Sequence, residues 1–189
     1  MTKTLISGAR IIDGSGSPAF QGSVLIEDDR IRAVSRTPLA VADARNVDAS
    51  GLALAPGFID VHAHSDLSIL AEPEAVGKIS QGITSELSGN CGLSAFPIRT
   101  VEVREHLEKL YRTYGVALTW RDFSSYADAV TAARPAINVG FLCGHNTLRA
   151  NVFGYENTSG TSSGWARERD LLAEMLEQGA LGFSTGLLY

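Results

Sequence analysis

The sequence predicts an α/β protein in which a small N-terminal β-subdomain precedes a parallel sheet covered by helices. Residues 1–54 contain short β-forming runs separated by turn residues, whereas residues 55–189 alternate between β-forming runs and amphipathic helical stretches. In the second segment, polar residues follow directly after the strands, as they do at the C-terminal edge of a parallel sheet. Four such βα units do not close a (β/α)₈ barrel, so the sheet would keep uncovered edge strands unless something completes it.

The N-terminal segment is predicted from its alternation of apolar runs and turns. We expect short strands at residues 4–7 and 9–12, then a Gly/Ser-rich loop at residues 14–18. Residues 23–27 and 30–34 flank two consecutive aspartates, which is typical of a hairpin. The segment contains no cluster of histidines, cysteines or paired acids, so a structural role is expected.

The larger segment is predicted element by element from its periodicity. After a first strand within residues 55–64, we expect strands at residues 83–87, 137–142 and 180–184. Apolar residues at helical spacing predict helices at residues 72–82, 101–114, 123–133 and 165–178. Loops are expected at residues 88–93, 143–149 and 154–164.

The most informative motif is His-X-His at the end of the first of these strands. His62 and His64 are two residues apart on a strand expected to be buried, so both side chains project from the same face, about 7 Å apart along the strand. Neutral imidazole is a common zinc ligand, and a pair at this spacing favours metal binding over packing. Asp60 lies on the same face, where it either orients an imidazole or is a buried hydrogen-bonded carboxylate.

Composition and charge exclude several classes of protein. The 189 residues are 44% hydrophobic and 20% charged, as in an ordinary globular protein, and the net charge of −5 disfavours nucleic-acid binding. We find neither a signal peptide nor an apolar run long enough for a membrane span, so a cytoplasmic protein without a membrane partner is expected. Cys91 and Cys143 are interpreted as free thiols because their spacing does not suggest a disulfide framework.

Several motifs together resemble one enzyme family. They are the His-X-His segment and four later ones, at residues 81–84, 88–92 (Ser-Gly-Asn-Cys-Gly), 138–149 and 179–189. These resemble the N-terminal part of the N-acyl-D-amino-acid deacylases, or D-aminoacylases, of the amidohydrolase superfamily. The resemblance implies a (β/α)₈ barrel with a small β-subdomain, in which residues 1–54 belong to the subdomain and residues 55–189 form the first, incomplete half of the barrel. It also implies hydrolysis of the amide of a small-molecule N-acyl-D-amino acid to a carboxylate and a free D-amino acid.

The same resemblance implies a zinc site. His62 and His64 match the first two ligands of the family, and Cys91 matches the cysteine that holds the more tightly bound zinc. A second, weaker zinc site is left open. A thiolate is a strong zinc ligand, and the ion keeps it deprotonated. The alternative for Cys91 is a small buried hydrophobic residue.

Other residues have less definite expected roles. Asp60, His145, Arg149 and Tyr189 are candidates to contact substrate or to support the ligands, and Tyr189 could equally be a packing aromatic. Asp66 is considered as a general base, but we expect it to cap or turn its loop. The catalytic base and the remaining ligands of the family are expected beyond residue 189. The chain is therefore expected to be an N-terminal fragment, inactive alone, with the barrel completed by a missing C-terminal part or another chain.

Two alternatives to the deacylase remain. One is an amidohydrolase acting on cyclic amides, like dihydropyrimidinases and dihydroorotases. Those enzymes normally bridge their metals with a carboxylated lysine, whereas this sequence offers Cys91 in a glycine-rich segment. The other is a non-catalytic protein, either a metal-binding remnant or a partner that completes its barrel with another chain.

Overall fold

A computed structural model describes residues 2–156 and 159–187 of the chain. Its internal contacts divide the chain into two compact units, Met1–Pro56 and Gly57–Tyr189. We describe each unit by itself.

The first unit is a β-sheet with a small apolar core. Within residues 2–56 its strands are β1 (Lys3–Ile11), β2 (Phe20–Glu27), β3 (Arg30–Ser35), β4 (Arg45–Asp48) and β5 (Ala53–Leu54). The strand order is β3-β2-β1-β4, and β5 also pairs with β1. The β2–β3 hairpin confirms the prediction from sequence. The core is formed by Ala9, Ile11, Val24 and Ala49.

Two details of the first unit differ from expectation. Residues 4–7 and 9–12 were expected to be separate strands, but they belong to the single strand β1, whose register with β2 shifts between Ile6 and Ala9. Gly8 lies inside this shift with φ of +74° and breaks the apolar alternation. Strands β4 and β5 were not expected, because elements of four and two residues are too short to show a period.

The second unit is a parallel sheet with helices packed on it. Within residues 57–156 and 159–187 its strands follow the chain in the order β6-β7-β8-β9. They are β6 (Phe58–Asp60), β7 (Ile83–Ser88), β8 (Asn138–Gly144) and β9 (Gly182–Ser184). The helices are α1 (Ser68–Ala71), α2 (Val76–Ile79), α3 (Val101–Leu110), α4 (Phe123–Ala133), α5 (His145–Phe153) and α6 (Ser162–Glu177). Sequential parallel strands bring their C-terminal ends to one edge, where the motif residues follow them.

The core of this unit is built around Tyr126 on α4. Its ring centroid lies 4.9 Å from Phe141 on β8 and 5.2 Å from both Phe96 and Trp120. Tyr126 is fully buried, and its hydroxyl donates a 2.6 Å hydrogen bond to the backbone carbonyl of Asp66. The aromatic core therefore anchors the loop that follows His-X-His.

The first predicted strand is shorter and more exposed than expected. It ends at Asp60, so His62 and His64 follow it instead of lying within it. Phe58 and Ile59 are 62% and 68% exposed, which contradicts the expectation of a buried strand. The reason is that β6 lies at the edge of the described sheet and pairs only with β7.

Boundaries elsewhere in this unit also differ from the predictions. Residues 143–149 are not a loop, because α5 begins directly after β8 at His145. The helix predicted from Glu72 to Gly82 is one turn at α2, since Ala75 has φ of +45° and interrupts it. The helix predicted over residues 101–114 ends at Leu110 and continues only as a 3₁₀ turn, Arg112–Tyr114.

Helix α5 lacks a recognisable apolar stripe because its buried side is partly polar. Its buried residues include Thr147 and Asn151. The Thr147 hydroxyl donates to the carbonyl of Ser94, and the Asn151 amide donates to the carbonyl of Pro97. This helix packs against backbone carbonyls of a loop, so hydrogen bonds replace part of the usual apolar contact.

None of the helices in the described residues is both long and apolar enough to cross a membrane.

Asp122 generates a prediction about stability. Its carboxylate accepts hydrogen bonds from the backbone and hydroxyl of Ser125, forming a capping box on α4. These bonds lower the pKa of Asp122 below its ordinary value of 3.8. The contribution of the carboxylate is therefore fully present above pH 3.8 and is lost as the pH falls through the lowered pKa. We expect Asp122→Ala to lower the free energy of unfolding by about 1 kcal/mol at neutral pH, measured by urea denaturation.

Two controls separate the cap from the charge. Asp122→Asn keeps a capping acceptor but cannot titrate, so it should retain most of the stability and lose the acid dependence. Asp128→Ala removes an exposed aspartate from the same helix and should change stability less. Equal losses from Asp122→Ala and Asp128→Ala would contradict a capping role.

Candidate metal centre

Three side chains form a compact group of metal-binding atoms after β6 and β7. One ligand atom each from His62, His64 and Cys91 lies within 4.8 Å of the others. The Cys91 sulfur is 3.3 Å from Nε2 of His62, and the two imidazole centroids are 5.5 Å apart. The histidines are exposed and Cys91 is half-buried. The structure thus brings together residues that are 29 positions apart in sequence.

The donor set fits zinc better than the hard cations. Two imidazole nitrogens and one thiolate are ligands that zinc binds well, whereas calcium and magnesium prefer oxygen. A thiol that can be reached from solvent is also able to deprotonate on binding a metal. Cys143 offers a contrast, because it is fully buried in the core and burial raises its pKa to about 12.

The histidine segment is held by its backbone. The amide of Ala63 donates to the carbonyl of Leu87, and the amide of His62 donates to a carboxylate oxygen of Asp60 at 3.2 Å. Asp60 therefore contacts the main chain of His62, and its other oxygen lies 2.5 Å from the ammonium group of Lys78. The hydrogen bond from Lys78 is the largest cause of the lowered pKa of Asp60.

Lys78 also joins a buried acid to this network. The Glu86 side chain is 0% exposed, and it lies 3.0 Å from the Lys78 ammonium group and accepts from the Ser65 hydroxyl at 3.1 Å. Burial lowers the pKa of Lys78, but its hydrogen bonds to Asp60 and Glu86 outweigh that effect and raise it. Lys78 is therefore a fixed cation that links β6 and β7 beside the histidines.

The cysteine lies in a tight loop at residues 89–92. Cys91 has φ of +56°, which is the left-handed region rarely adopted by residues other than glycine. Gly89 has φ of +84°, and a Cβ there would lie 2.1 Å from the carbonyl oxygen of Leu142. Only glycine therefore permits this loop to pass so close to β8.

The buried Asn90 side chain ties the cysteine loop to the histidine segment. Its amide nitrogen donates to the carbonyls of Ala63 and Leu87, at 3.1 and 2.8 Å. Ala63 lies between the two histidines, so Asn90 connects the backbones on both sides of the ligand group. This role of Asn90 was not predicted from sequence, although the Gly-Asn-Cys-Gly motif was a visible signal.

The opposite side of the loop is held by α5 and β9. The amide of Asn146 donates to the carbonyl of Gly92 at 2.8 Å. Ser184 contacts both Gly92 and Gly89 through its hydroxyl. Neither Asn146 nor Ser184 was singled out from sequence, because each acts on a loop far away along the chain.

Asp66 is buried beneath these loops and is not among the exposed groups. One carboxylate oxygen accepts from the amide of Gly89 at 3.4 Å, and the other has no hydrogen-bond partner within the described residues. Burial raises the pKa of Asp66 to about 7, with a further contribution from the charge of Glu86. Asp66 therefore contacts the cysteine loop from below, through the Gly89 amide.

The less definite candidates lie outside the three-residue ligand group. His145, at the start of α5, lies 3.2 Å from Glu168 and 3.4 Å from the Thr185 hydroxyl. Arg149 extends over the ring of Phe153, 5.0 Å from its centroid. Tyr189 lies outside the described residues.

Comparison with known proteins identifies relatives of this chain. The model of the amidohydrolase family matches residues 45–189. A D-aminoacylase from Alcaligenes xylosoxydans xylosoxydans is 38% identical over 185 residues, covering 98% of this chain and 38% of the relative. An N-acyl-D-aspartate deacylase from the same organism is 41% identical over 188 residues, covering 98% of this chain and 36% of the relative. The chain thus spans little more than a third of these relatives.

Solved structures show the same fold. A D-aminoacylase structure superposes with a TM-score of 0.87 at 35% identity, covering 98% of this chain and 39% of that one. An N-acyl-D-glutamate deacylase from Bordetella bronchiseptica, complexed with zinc and a phosphonate inhibitor, gives a TM-score of 0.84 at 38% identity, covering 100% and 39%. The predicted fold class, the first half of a (β/α)₈ amidohydrolase barrel preceded by a small β-subdomain, is confirmed. The chain belongs to the amidohydrolase family.

Proposed function

We propose that this chain is part of a zinc-dependent enzyme that hydrolyses N-acyl-D-amino acids to a carboxylate and a free D-amino acid. The observation that carries the proposal is the convergence of two imidazoles and one thiol within 4.8 Å. This group occurs in a chain 38% to 41% identical to a D-aminoacylase and an N-acyl-D-aspartate deacylase.

His62, His64 and Cys91 are the proposed metal ligands. When bound, zinc would supply Lewis acidity, which polarises an amide carbonyl and lowers the pKa of a water molecule. The zinc in the complex of the Bordetella bronchiseptica deacylase supports this choice of metal. We propose one tightly bound ion. One structure of a D-aminoacylase describes a binuclear centre with one-metal activation and second-metal attenuation, so metal analysis should also test for a second, weaker site.

The contribution of this chain is to hold three donors in place. Asp60 fixes the backbone of His62, and Asn90 fixes the backbone between the two histidines. Rigid backbone support holds the donors close together before the ion binds, which favours metal affinity. We propose that His145 and Arg149, on α5, contact substrate or support the ligand loops.

The rest of the enzyme is proposed to lie outside these residues. In this proposal residues 1–54 are part of the β-subdomain, and residues 55–189 supply the first four βα units of a barrel. The general base and the remaining ligands then come from the part of the barrel that completes the sheet. We further propose a cytoplasmic enzyme with a small-molecule substrate.

The first prediction concerns the substrate. In the full-length protein loaded with zinc, we expect hydrolysis of N-acetyl-D-amino acids and at least tenfold slower hydrolysis of their L-enantiomers. The assay measures release of the free amino acid from matched D and L pairs of several side chains. Dihydrouracil serves as the cyclic-amide probe. Hydrolysis of that ring without hydrolysis of any N-acetyl-D-amino acid would contradict the proposed deacylase activity and favour a cyclic-amide hydrolase.

The second prediction concerns Cys91. We expect Cys91→Ala to lower zinc affinity by more than about tenfold and to abolish most activity, because even changes to groups that support ligands cost about 10–100-fold. Zinc content and chelator competition provide the measurement. Cys143→Ala is the matched control, since this core thiol should affect stability and not zinc. Normal zinc content and activity in Cys91→Ala would show that Cys91 is not a ligand.

A further inference from the structure

The hydroxyl of Ser184 connects the two ends of the cysteine loop. Ser184 is the last residue of β9. Its oxygen accepts a 3.0 Å hydrogen bond from the amide of Gly92 and donates to the carbonyl of Gly89. One side chain therefore holds both ends of residues 89–92, although it lies more than 90 positions further along the chain.

The loop needs such support because it leaves regular structure. Strand β7 ends at Ser88, so the polar groups of Gly89 and Gly92 have no sheet partners at this point. Cys91 between them has φ of +56°, a left-handed conformation that is unfavourable for residues other than glycine. Such conformations persist when surrounding contacts determine them, and they cluster at functional sites.

The other contacts of the loop leave a separate task to Ser184. Asn90 holds the loop to the histidine segment, and the amide of Asn146 binds the carbonyl of Gly92. A backbone bond from the amide of Leu93 to the carbonyl of Asn90, at 3.0 Å, closes the turn around Cys91 and Gly92. None of these contacts joins Gly89 to Gly92. The Ser184 hydroxyl does so, and it thereby restricts the angle at which the Cys91 side chain leaves the backbone.

We propose that Ser184 is a positioning residue that orients the Cys91 sulfur toward His62 and His64 for metal binding. The proposal rests on the proposed function, because it takes Cys91 as a ligand. Ser184 does not touch the ion or the substrate in this proposal. It acts through the loop, and the hydroxyl is the group that matters.

Removal of the hydroxyl tests the proposal in the full-length protein. Ser184→Ala is expected to lower zinc affinity about 10–100-fold, as other supporting contacts of metal ligands do, measured by chelator competition. In the cobalt-substituted protein, the thiolate-to-cobalt charge-transfer band should weaken or shift. Ser184→Thr keeps the hydroxyl and should retain most of the zinc affinity.

Two further variants separate positioning from general stability. Ser125→Ala removes another serine hydroxyl that bonds to backbone amides, at the start of α4. It should lower the unfolding temperature without changing zinc affinity or the cobalt spectrum. Ser184→Val has nearly the size of Ser184→Thr without the hydroxyl, so this pair tests the hydroxyl even if Ser184→Ala folds poorly.

The possible results distinguish a failure of this proposal from a failure of the proposed function on which it rests. If Ser184→Ala is destabilised like Ser125→Ala while its zinc affinity and cobalt spectrum match the wild type, Ser184 is only structural. Equal zinc affinity in Ser184→Thr and Ser184→Val would overturn the proposal as well. If the wild-type cobalt protein itself shows no thiolate band, then Cys91 is not a ligand and the proposed function fails first.

Discussion

The close approach of the Gly89 backbone to the carbonyl of Leu142 is the constraint on which the candidate metal centre depends. A Cβ at Gly89 would lie 2.1 Å from that oxygen, far inside van der Waals contact. Because glycine has no Cβ, the loop after β7 can turn over the end of β8 and direct Cys91 back toward β6. The 3.3 Å separation of Cys91 and His62 follows from this turn. The parallel sheet alone would bring the strand ends together but would not direct the Cys91 thiol toward the histidines.

Two kinds of contact fix the loops once the backbone has turned. From below, the aromatic core holds the chain after His-X-His through the bond from Tyr126 to the Asp66 carbonyl. From the side, Lys78 lies between Asp60 and the fully buried Glu86. Exposed ion pairs contribute little, but removing one partner of a buried pair leaves an uncompensated charge and costs several kcal/mol. Loss of one partner of the Lys78–Glu86 pair is therefore expected to lower the free energy of unfolding more than loss of one partner of an exposed pair such as Arg30–Asp29.

How much could be predicted from sequence depends on whether a feature follows from local pattern. The parallel strands and helix α4 are predicted because their apolar residues repeat at the expected period. The grouping of Cys91 with His62 and His64 was implied by the family resemblance, and it agrees with a parallel sheet, in which the ends of neighbouring strands meet at one edge. The conformation of residues 89–92 is not, since it depends on hydrogen bonds from Asn90 and from a serine on β9.

The same reasoning explains the errors. The first part of helix α5 was expected to belong to a loop at residues 143–149, because Thr147 occupies a buried position that is usually apolar. The first strand was expected to be buried because its sequence is apolar, but burial depends on the strands that flank it and not on its own residues. The bond between Asp66 and the Gly89 amide, and any role for Glu86, were not predicted, since the partners of a buried acid cannot be identified from sequence.

X-ray absorption at the zinc edge of the full-length, zinc-loaded protein tests the central claim most directly. The account predicts one sulfur neighbour at about 2.3 Å from a tightly bound zinc, together with nitrogen or oxygen neighbours at about 2.0–2.2 Å. The sulfur signal should disappear in Cys91→Ala and persist in Cys143→Ala. A zinc spectrum explained by nitrogen and oxygen alone would contradict the account, because Cys91 would then be aimed at the histidines without binding the metal.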